Sequence, residues 1–103
     1  MKNISRDKEV LKKLQAIPNV GPATAEDLYR LGIRAVEDLM QRDAETMYEE
    51  LCLLDGVRLD PCVQDVFAAA IYFAKGKGSK PWWHFSRIRK AAKKMQADGN
   101  RRF

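Results

Sequence analysis

The sequence predicts an all-α protein, a compact bundle of five to six short helices. Apolar residues recur at spacings of three and four along most of the chain, and no stretch alternates with the period of two that a half-buried strand requires. Prolines and glycines separate these segments at short intervals. With 103 residues, 46% of them hydrophobic, the chain is large enough for one core. We therefore expect a single domain over residues 1–103.

The first two helices are expected on either side of a proline- and glycine-rich connection. Residues 7–16 carry an apolar stripe flanked by lysines, and the segment 17–22 cannot continue that helix. Pro22 suits the first turn of a second helix. Gly32 ends this second helix, because glycine readily adopts the left-handed conformation of a helix cap.

Two more short helices should follow at once. Residues 33–41 offer one apolar side for a third helix, which includes Leu39 and Met40. Asp43 is a suitable N-cap for a fourth helix that runs through Leu51.

The second half of the chain predicts a central helix and a basic last helix. Asp60 and Pro61 form a good helix start, and the residues that follow are apolar on most sides, as expected of a central helix. Residues 75–79 read as a flexible basic linker, and Pro81 opens the last helix. The predicted apolar face of that helix comprises Phe85, Ile88, Ala92 and Met95.

The charge changes sign twice along the chain. The formal net charge is +3 over residues 1–25, −7 over 26–65 and +9 over 66–103. This division suits a protein that turns a basic face toward a polyanion while an acidic face stays solvated or meets another protein. A simply solvated surface explains the charges equally well.

Composition also bears on the compartment. The N-terminal residues are polar and the longest apolar run, Val66 to Ala74, has nine residues, which is too short to cross a bilayer. Cys52 and Cys62 are expected as free, buried thiols in a reducing compartment. We expect a cytoplasmic protein without membrane contact, either a monomer or a weak dimer.

The connection after the first helix resembles a known DNA-binding element. Residues 14–25, with the sequence LQAIPNVGPATA, resemble the hairpin of the helix-hairpin-helix superfamily. Residues 31–39 are similar to the stretch that follows this hairpin in DNA polymerase beta-type and related repair proteins. The resemblance implies a SAM-like helix-hairpin-helix region over residues 7–52. The remainder then divides into a C-terminal helical region, 60–97, and a flexible tail, 98–103.

The backbone chemistry of this hairpin favours phosphate binding. Small residues around Gly21 let the backbone approach a phosphate closely, and the free N–H groups at the start of the second helix form an anion site that the helix dipole reinforces. The resemblance implies phosphate binding by the amides near four residues, with the Thr24 hydroxyl and Lys12 or Lys13 assisting. These four residues are Asn19, Gly21, Ala23 and Thr24.

The resemblance also implies a monovalent cation, K⁺ or Na⁺, held between hairpin and phosphate by backbone carbonyls. By position these carbonyls belong to Gln15, Ile17 and Val20. No other cofactor is expected. Asn19 stands where the superfamily most often has glycine, although asparagine tolerates a positive φ better than other non-glycine residues. Asn19 should therefore either weaken phosphate binding or add a hydrogen bond from its side chain.

A second resemblance covers more of the chain. The segments 60–63, 66–74 and 80–85, the last with the sequence KPWWHF, are similar to the small bacterial pathogenicity-locus family. Its members are often labelled mitomycin-resistance proteins, and they too begin with a helix-hairpin-helix. Membership implies contact with DNA but no established activity.

The last helix allows two interpretations. Its basic residues could form a secondary face along the duplex while an exposed tryptophan contacts a sugar or base. Alternatively, Phe85 and at least one of Trp82 and Trp83 are core residues. The cations of the secondary basic face are Arg87, Arg89, Lys90, Lys93 and Lys94.

No catalytic constellation can be assembled, so we expect no enzyme. His84 is interpreted as a surface or packing residue, because no partner for acid–base or nucleophilic chemistry stands at a suitable spacing. A divalent metal site is not expected either. Caps and exposed helix faces explain the carboxylates Glu49, Glu50, Asp55, Asp60 and Asp65.

Three functions follow from these patterns. The leading hypothesis is a sequence-independent DNA-binding module, a repair or resistance accessory protein that holds the phosphate backbone. The alternative is a protein-interaction adaptor whose acidic segment, Glu37 to Asp55, docks a basic partner while the hairpin is purely structural. A third is a small-molecule binder that uses Trp82 and Trp83.

Overall fold

Five α-helices and one short 3-10 helix make up the secondary structure of the described chain. The computed structural model describes the backbone of residues 4–100 and the side chains of residues 7–94. The elements are α1 (Ile4–Leu14), α2 (Pro22–Arg30), the 3-10 helix Val36–Leu39, α3 (Ala44–Asp55), α4 (Cys62–Ala74) and α5 (Trp82–Asn100). Residues 4–100 contain no strand. The predicted all-α class is confirmed.

Local sequence signals place most helix ends. Gly32 has a φ of +93° after α2, and the Ile33 amide donates to the Leu28 carbonyl at 2.9 Å, so α2 ends in a left-handed cap as predicted. Asp43 caps α3 by accepting from the Thr46 amide at 3.0 Å. The predicted third helix is a single 3-10 turn, in which the Asp38 and Met40 amides donate to carbonyls three residues earlier, and the Asp38 side chain accepts from the two backbone amides just before it.

Helix α4 lies at the centre of the molecule, as its apolar sequence predicts. It packs against α3, α5 and the 3-10 helix, while α1 packs against α2. Asp60 serves the start of α4 by accepting from the Cys62 amide at 2.8 Å, and this bond holds the pKa of the Asp60 carboxyl below its usual range. The buried apolar core comprises Leu14, Ile17, Val20, Ala25, Leu28, Leu31, Ile33, Leu39, Met47, Tyr48, Leu51, Phe67, Ala70 and Ile71.

A buried ion pair joins α5 to α4. The Asp65 side chain is 2% exposed, and its two oxygens accept from Arg89 Nε at 2.8 Å and Arg89 Nη2 at 3.0 Å. The Ser86 hydroxyl also donates to Asp65. The prediction that Asp65 lies at a cap or on an exposed face is therefore wrong. A charge on a helix packed on several sides must be buried, and it is tolerated here because a cation neutralises it.

Two predicted apolar faces are not fully buried. Met40 is 47% exposed, because the tight 3-10 turn gives the segment one buried position at Leu39 rather than a helical stripe. Ile88 is 55% exposed, and Ala92 is also exposed. The face of α5 that meets α4 is centred on Ser86 and Arg89 instead. Met95 lies outside the residues whose side chains are described.

Helices α1 and α2 are joined by a side-chain contact as well as by apolar packing. The Tyr29 hydroxyl donates to the Asp7 carboxylate, which raises the pKa of Tyr29. On the ring of Tyr29, the Arg34 guanidinium lies 3.6 Å from the centroid, and it donates to the Tyr29 carbonyl at 2.7 Å. These contacts fix the orientation of α2 and so of its N-terminus.

Helix α5 extends to Asn100, so the first three residues of the stretch predicted as a tail, 98–103, are helical. The last three lie outside the described residues.

Candidate nucleic-acid interface

Residues 15–21 connect α1 to α2 and are anchored by two buried side chains. Ile17 is 1% and Val20 6% exposed. The Val20 amide donates to the Ile17 carbonyl at 3.1 Å, which closes a tight turn. Asn19 adopts a φ of +71° within this turn, the left-handed conformation that asparagine tolerates. The two buried side chains and the hydrogen bond of the turn thus anchor the connection to the core.

Four backbone amides, two in the connection and two in the first turn of α2, donate to no acceptor in the described part of the chain. Gly21 is the N-cap of α2, and the first helical bond runs from the Ala25 amide to the Gly21 carbonyl at 2.9 Å. The amides of Asn19, Gly21, Ala23 and Thr24 make no such bond within residues 4–100. This is the expected state of the first amides of a helix without a side-chain cap.

The same residues are accessible to solvent. Asn19, Gly21 and Ala23 are exposed, and Thr24 is half-buried. A Cβ placed on Gly21 meets nothing within 4 Å, so no protein group stands over this part of the backbone. Gly21, Ala23 and Thr24 therefore lie at the start of α2, with Asn19 two residues before its N-cap, and this end of the helix is open to solvent at Gly21.

Lysines lie close to this N-terminus along the chain. Lys12 and Lys13 form the basic last turn of α1, and both are exposed. The Lys13 carbonyl accepts from the Ala16 amide at 3.1 Å, so the backbone of this turn leads directly into the connection.

The three carbonyls predicted to hold a monovalent cation are not equivalent. The Ile17 carbonyl accepts from the Val20 amide, which leaves one lone pair for an ion. The carbonyls of Gln15 and Val20 accept no backbone bond from the connection itself.

For divalent metals, no group of three or more His, Cys, Asp or Glu side chains comes together among the described residues.

One side-chain bond links the connection to the linker before α5. Asn19 Nδ2 donates to the Lys80 carbonyl at 2.8 Å. The sequence suggested that the Asn19 side chain could add a bond to phosphate, whereas here its amide group is engaged with the protein. The bond joins the residues just before α5 to the connection before α2.

Both tryptophans at the start of α5 are accessible. Trp82 is 37% and Trp83 48% exposed, so the expectation that at least one of them is core is wrong. Phe85, the other residue of that expectation, is half-buried and packs edge-to-face with Tyr72, with ring centroids 5.4 Å apart. His84 is half-buried and packs edge-on against Phe85 at 5.0 Å.

The predicted secondary basic face is divided by the ion pair of α5. Arg87, Lys90, Lys93 and Lys94 are exposed. Arg89 is tied to Asp65, and this bond raises the pKa of the Arg89 guanidinium. Arg89 therefore positions the helix, and the other four cations remain turned to solvent.

The acidic middle segment is partly neutralised. Glu50 pairs with Arg42 at 2.8 Å and Asp55 with Arg30 at 2.6 Å. The end of α3 next to these carboxylates is apolar and accessible, since Leu53, Leu54 and Val57 are 83%, 55% and 58% exposed. Cys52, also in this region, is a half-buried free thiol, as is Cys62.

No helix in the described part of the chain combines the length and the apolar character needed to cross a membrane.

A cleft of about 570 Å³ lies between α3, α4 and α5, with Phe85 and Ile88 among its apolar lining residues and Asp65 and Arg89 among its polar ones. Neither tryptophan lines this cleft.

Comparison with known proteins gives two consistent matches. The profile of the Cdd1 pathogenicity-locus family matches residues 7–91, from α1 into the first half of α5. A protein of Streptomyces lavendulae described as mitomycin resistance protein McrB is 38% identical over 77 residues, which cover 75% of this chain and 73% of the relative. No solved structure matches the chain significantly. The match over 7–91 includes the connection and the tryptophan pair, and the chain belongs to the Cdd1 pathogenicity-locus family.

Proposed function

We propose that this protein is a non-enzymatic, sequence-independent DNA-binding module that holds the phosphate backbone at the N-terminus of α2. The observation that carries the proposal is that the amides of Asn19, Gly21, Ala23 and Thr24 have no acceptor within the described chain, while the first three of these residues are exposed and Thr24 is half-buried. A phosphate oxygen would satisfy several of them at once.

The proposal makes α1, the 15–21 connection and α2 a helix-hairpin-helix unit. The buried anchors Ile17 and Val20 and the left-handed Asn19 support this interpretation, because they hold the turn while its outer side stays open. The N-terminal end of the α2 dipole adds a partial positive charge, and Lys12 and Lys13 add two full charges. A K⁺ or Na⁺ ion at the carbonyls of Gln15, Ile17 and Val20 would strengthen the same site.

The name of one relative supports a role in resistance. The Streptomyces lavendulae protein carries the name of a mitomycin resistance protein. We extend this resistance role to the present chain as an accessory role in resistance or repair, in which the protein binds DNA and catalyses no reaction on it.

Gly21 offers a sharp test because it can be replaced without disturbing the fold. Its φ of −96° is open to any residue, and a Cβ there meets nothing within 4 Å. An aspartate at this N-cap position would bond the amides of Ala23 and Thr24 itself, keep or slightly raise stability, and repel phosphate. Gly21→Asp should therefore lose affinity for duplex DNA while its unfolding midpoint stays at or above the original.

Two variants complete this design. Gly21→Asn supplies the same cap without a charge, and it should lose affinity less than Gly21→Asp. Gln41→Glu lowers the net charge by one, as Gly21→Asp does, but at an exposed residue outside the connection. It should bind duplex DNA as the original protein does. Equal affinity of the original protein and Gly21→Asp would refute the proposed site.

The salt dependence of DNA affinity tests the electrostatic contribution to binding. With four to six phosphate contacts, the logarithm of the affinity for a blunt duplex should fall against the logarithm of the salt concentration with a slope of roughly −4 to −5. Replacement of Lys12 or Lys13 by alanine should reduce the magnitude of that slope by about 1. A flat response would contradict backbone binding.

A second candidate function is favoured by the apolar end of α3. Leu53, Leu54 and Val57 are exposed beside the acidic residues of the middle segment, an arrangement that suits a partner with a basic rim and an apolar centre. In this case the protein is an adaptor. Leu53→Asp should abolish retention of a protein partner from nuclease-treated extract while leaving duplex affinity unchanged, and unaltered retention would contradict the adaptor role.

A further inference from the structure

Both tryptophans of the chain occupy the first turn of α5 and are accessible there. Trp82 is 37% and Trp83 48% exposed, which is unusual for the largest apolar side chains of a small domain. Tyr72 and Phe85 already pack against each other beside this turn. The core therefore leaves a substantial part of both indoles accessible to solvent.

One hydrogen bond limits the distance between the start of α5, which carries the tryptophans, and the proposed phosphate site. Asn19 Nδ2 bonds the Lys80 carbonyl at 2.8 Å, and Gly21 and Trp82 each follow one of these residues by two positions. Two residues of extended chain reach at most about 7 Å, so the starts of α2 and α5 lie within roughly 25 Å of each other, about seven nucleotide steps of a DNA strand.

One cation lies against a tryptophan ring, and two further cations are close to the pair along the chain. The Arg87 guanidinium lies 5.0 Å from the centroid of the Trp83 ring, and Lys80 and Lys90 are exposed on either side along the chain. An indole next to a guanidinium offers both a stacking face and a phosphate ligand. A nucleobase on its sugar-phosphate is the ligand that uses both.

We propose that the exposed indoles of Trp82 and Trp83 serve as a stacking platform, with an unpaired nucleobase of DNA packing on either ring, so that the protein prefers duplexes with a single-stranded extension over blunt duplexes. Inside a duplex each base is already stacked on its neighbours, whereas an unpaired base has a free face. This platform deepens the proposed function and rests on its claim that the protein binds DNA; the phosphate site at α2 would hold the adjacent duplex.

The experiment uses intrinsic tryptophan emission, which reports on the platform alone because the chain has two tryptophans. The probes are a blunt duplex and the same duplex with a tail of about eight nucleotides, tested at either end so that the tail can span the two sites. We expect the tailed duplex to bind about tenfold more tightly, the value of one stacked base. Tryptophan emission should change with the tailed duplex and not with the blunt one.

Variants connect this preference to the indoles. The double variant Trp82→Leu/Trp83→Leu keeps apolar bulk without an aromatic face, so the ratio of tailed to blunt affinity should fall to about one; its affinities are measured by fluorescence anisotropy of labelled DNA. The double variant Trp82→Phe/Trp83→Phe should restore part of the ratio. Met40→Ala, an exposed apolar control elsewhere, should leave the ratio unchanged.

The outcomes separate the two proposals. If Gly21→Asp loses blunt-duplex affinity while the original protein shows a ratio of one, the phosphate site stands and the platform is overturned. A ratio that survives the double leucine variant also overturns the platform. If Gly21→Asp binds the blunt duplex as the original does while the ratio depends on the indoles, the platform stands and the phosphate site fails. Absence of binding to either DNA overturns both.

Discussion

Arg89→Met removes the cation that neutralises the buried carboxylate of Asp65. Both carboxylate oxygens accept from the guanidinium, at 2.8 and 3.0 Å, and the Ser86 hydroxyl donates to one of them. The Asp65 side chain is 2% exposed, so it cannot turn to water when its partner is lost. Methionine keeps most of the apolar stem that packs along α4.

The magnitude follows from the unequal burial of the partners. Removal of one member of a buried pair costs about 3–5 kcal/mol when the remaining charge stays buried, and this is the value we expect for Arg89→Met. The Arg89 side chain is 21% exposed, so after Asp65→Asn its guanidinium can move toward solvent, and the cost should be about 1–3 kcal/mol. In melting temperature, about 3 kcal/mol corresponds to a decrease of roughly 12 °C or more for a domain of this size.

Urea unfolding measures both values. Tryptophan emission follows the start of α5 and far-ultraviolet circular dichroism follows all helices, so coincident transitions would support a two-state free energy. The double variant Asp65→Leu/Arg89→Met, which leaves no buried charge, should regain much of the lost stability. The reasoning is refuted if Arg89→Met lies within about 1 kcal/mol of the original protein, or is no less stable than Asp65→Asn.

Three further predictions concern local geometry. Asn19→Ala should lower the free energy of unfolding by about 1 kcal/mol more than Asn19→Gly, because φ is +71° there, and equal urea midpoints would contradict this. Asp43→Ala should cost about 1 kcal/mol in the same assay through loss of the bond to the Thr46 amide, and an unchanged midpoint would remove the cap from the account. The bond from Cys62 holds the pKa of Asp60 below its usual range, so its stabilisation is complete above about pH 4 and is lost as pH falls through the lowered pKa. The stability advantage of the original protein over Asp60→Asn should therefore shrink on acidification, and a constant advantage would be inconsistent with that shift.

Features encoded by neighbouring residues could be predicted from the sequence. The left-handed Gly32, the cap at Asp43 and the central position of α4 follow from local preferences and from the apolar surface of one helix. The same holds for the amides at the start of α2, because glycine at the N-cap has no side chain that could accept from them.

Features that depend on distant partners could not be predicted in this way. Asp65 and Arg89 are 24 residues apart, and the face on which α5 docks decides whether each is buried. The exposure of Ile88, Trp82 and Trp83 follows from that same docking. One signal was present in the sequence. Asp65 interrupts the first turns of a helix that is apolar on most sides, which indicates a buried charge and hence a cation elsewhere in the chain.

Titration of ¹⁵N-labelled protein with a short blunt DNA duplex, followed by amide resonances, tests the phosphate site most directly. The account predicts that the amide signals of Asn19, Gly21, Ala23 and Thr24 shift first and furthest, and that these shifts disappear in Gly21→Asp. If these four signals stay in place while the duplex moves resonances on another surface, the start of α2 is not the site of DNA contact.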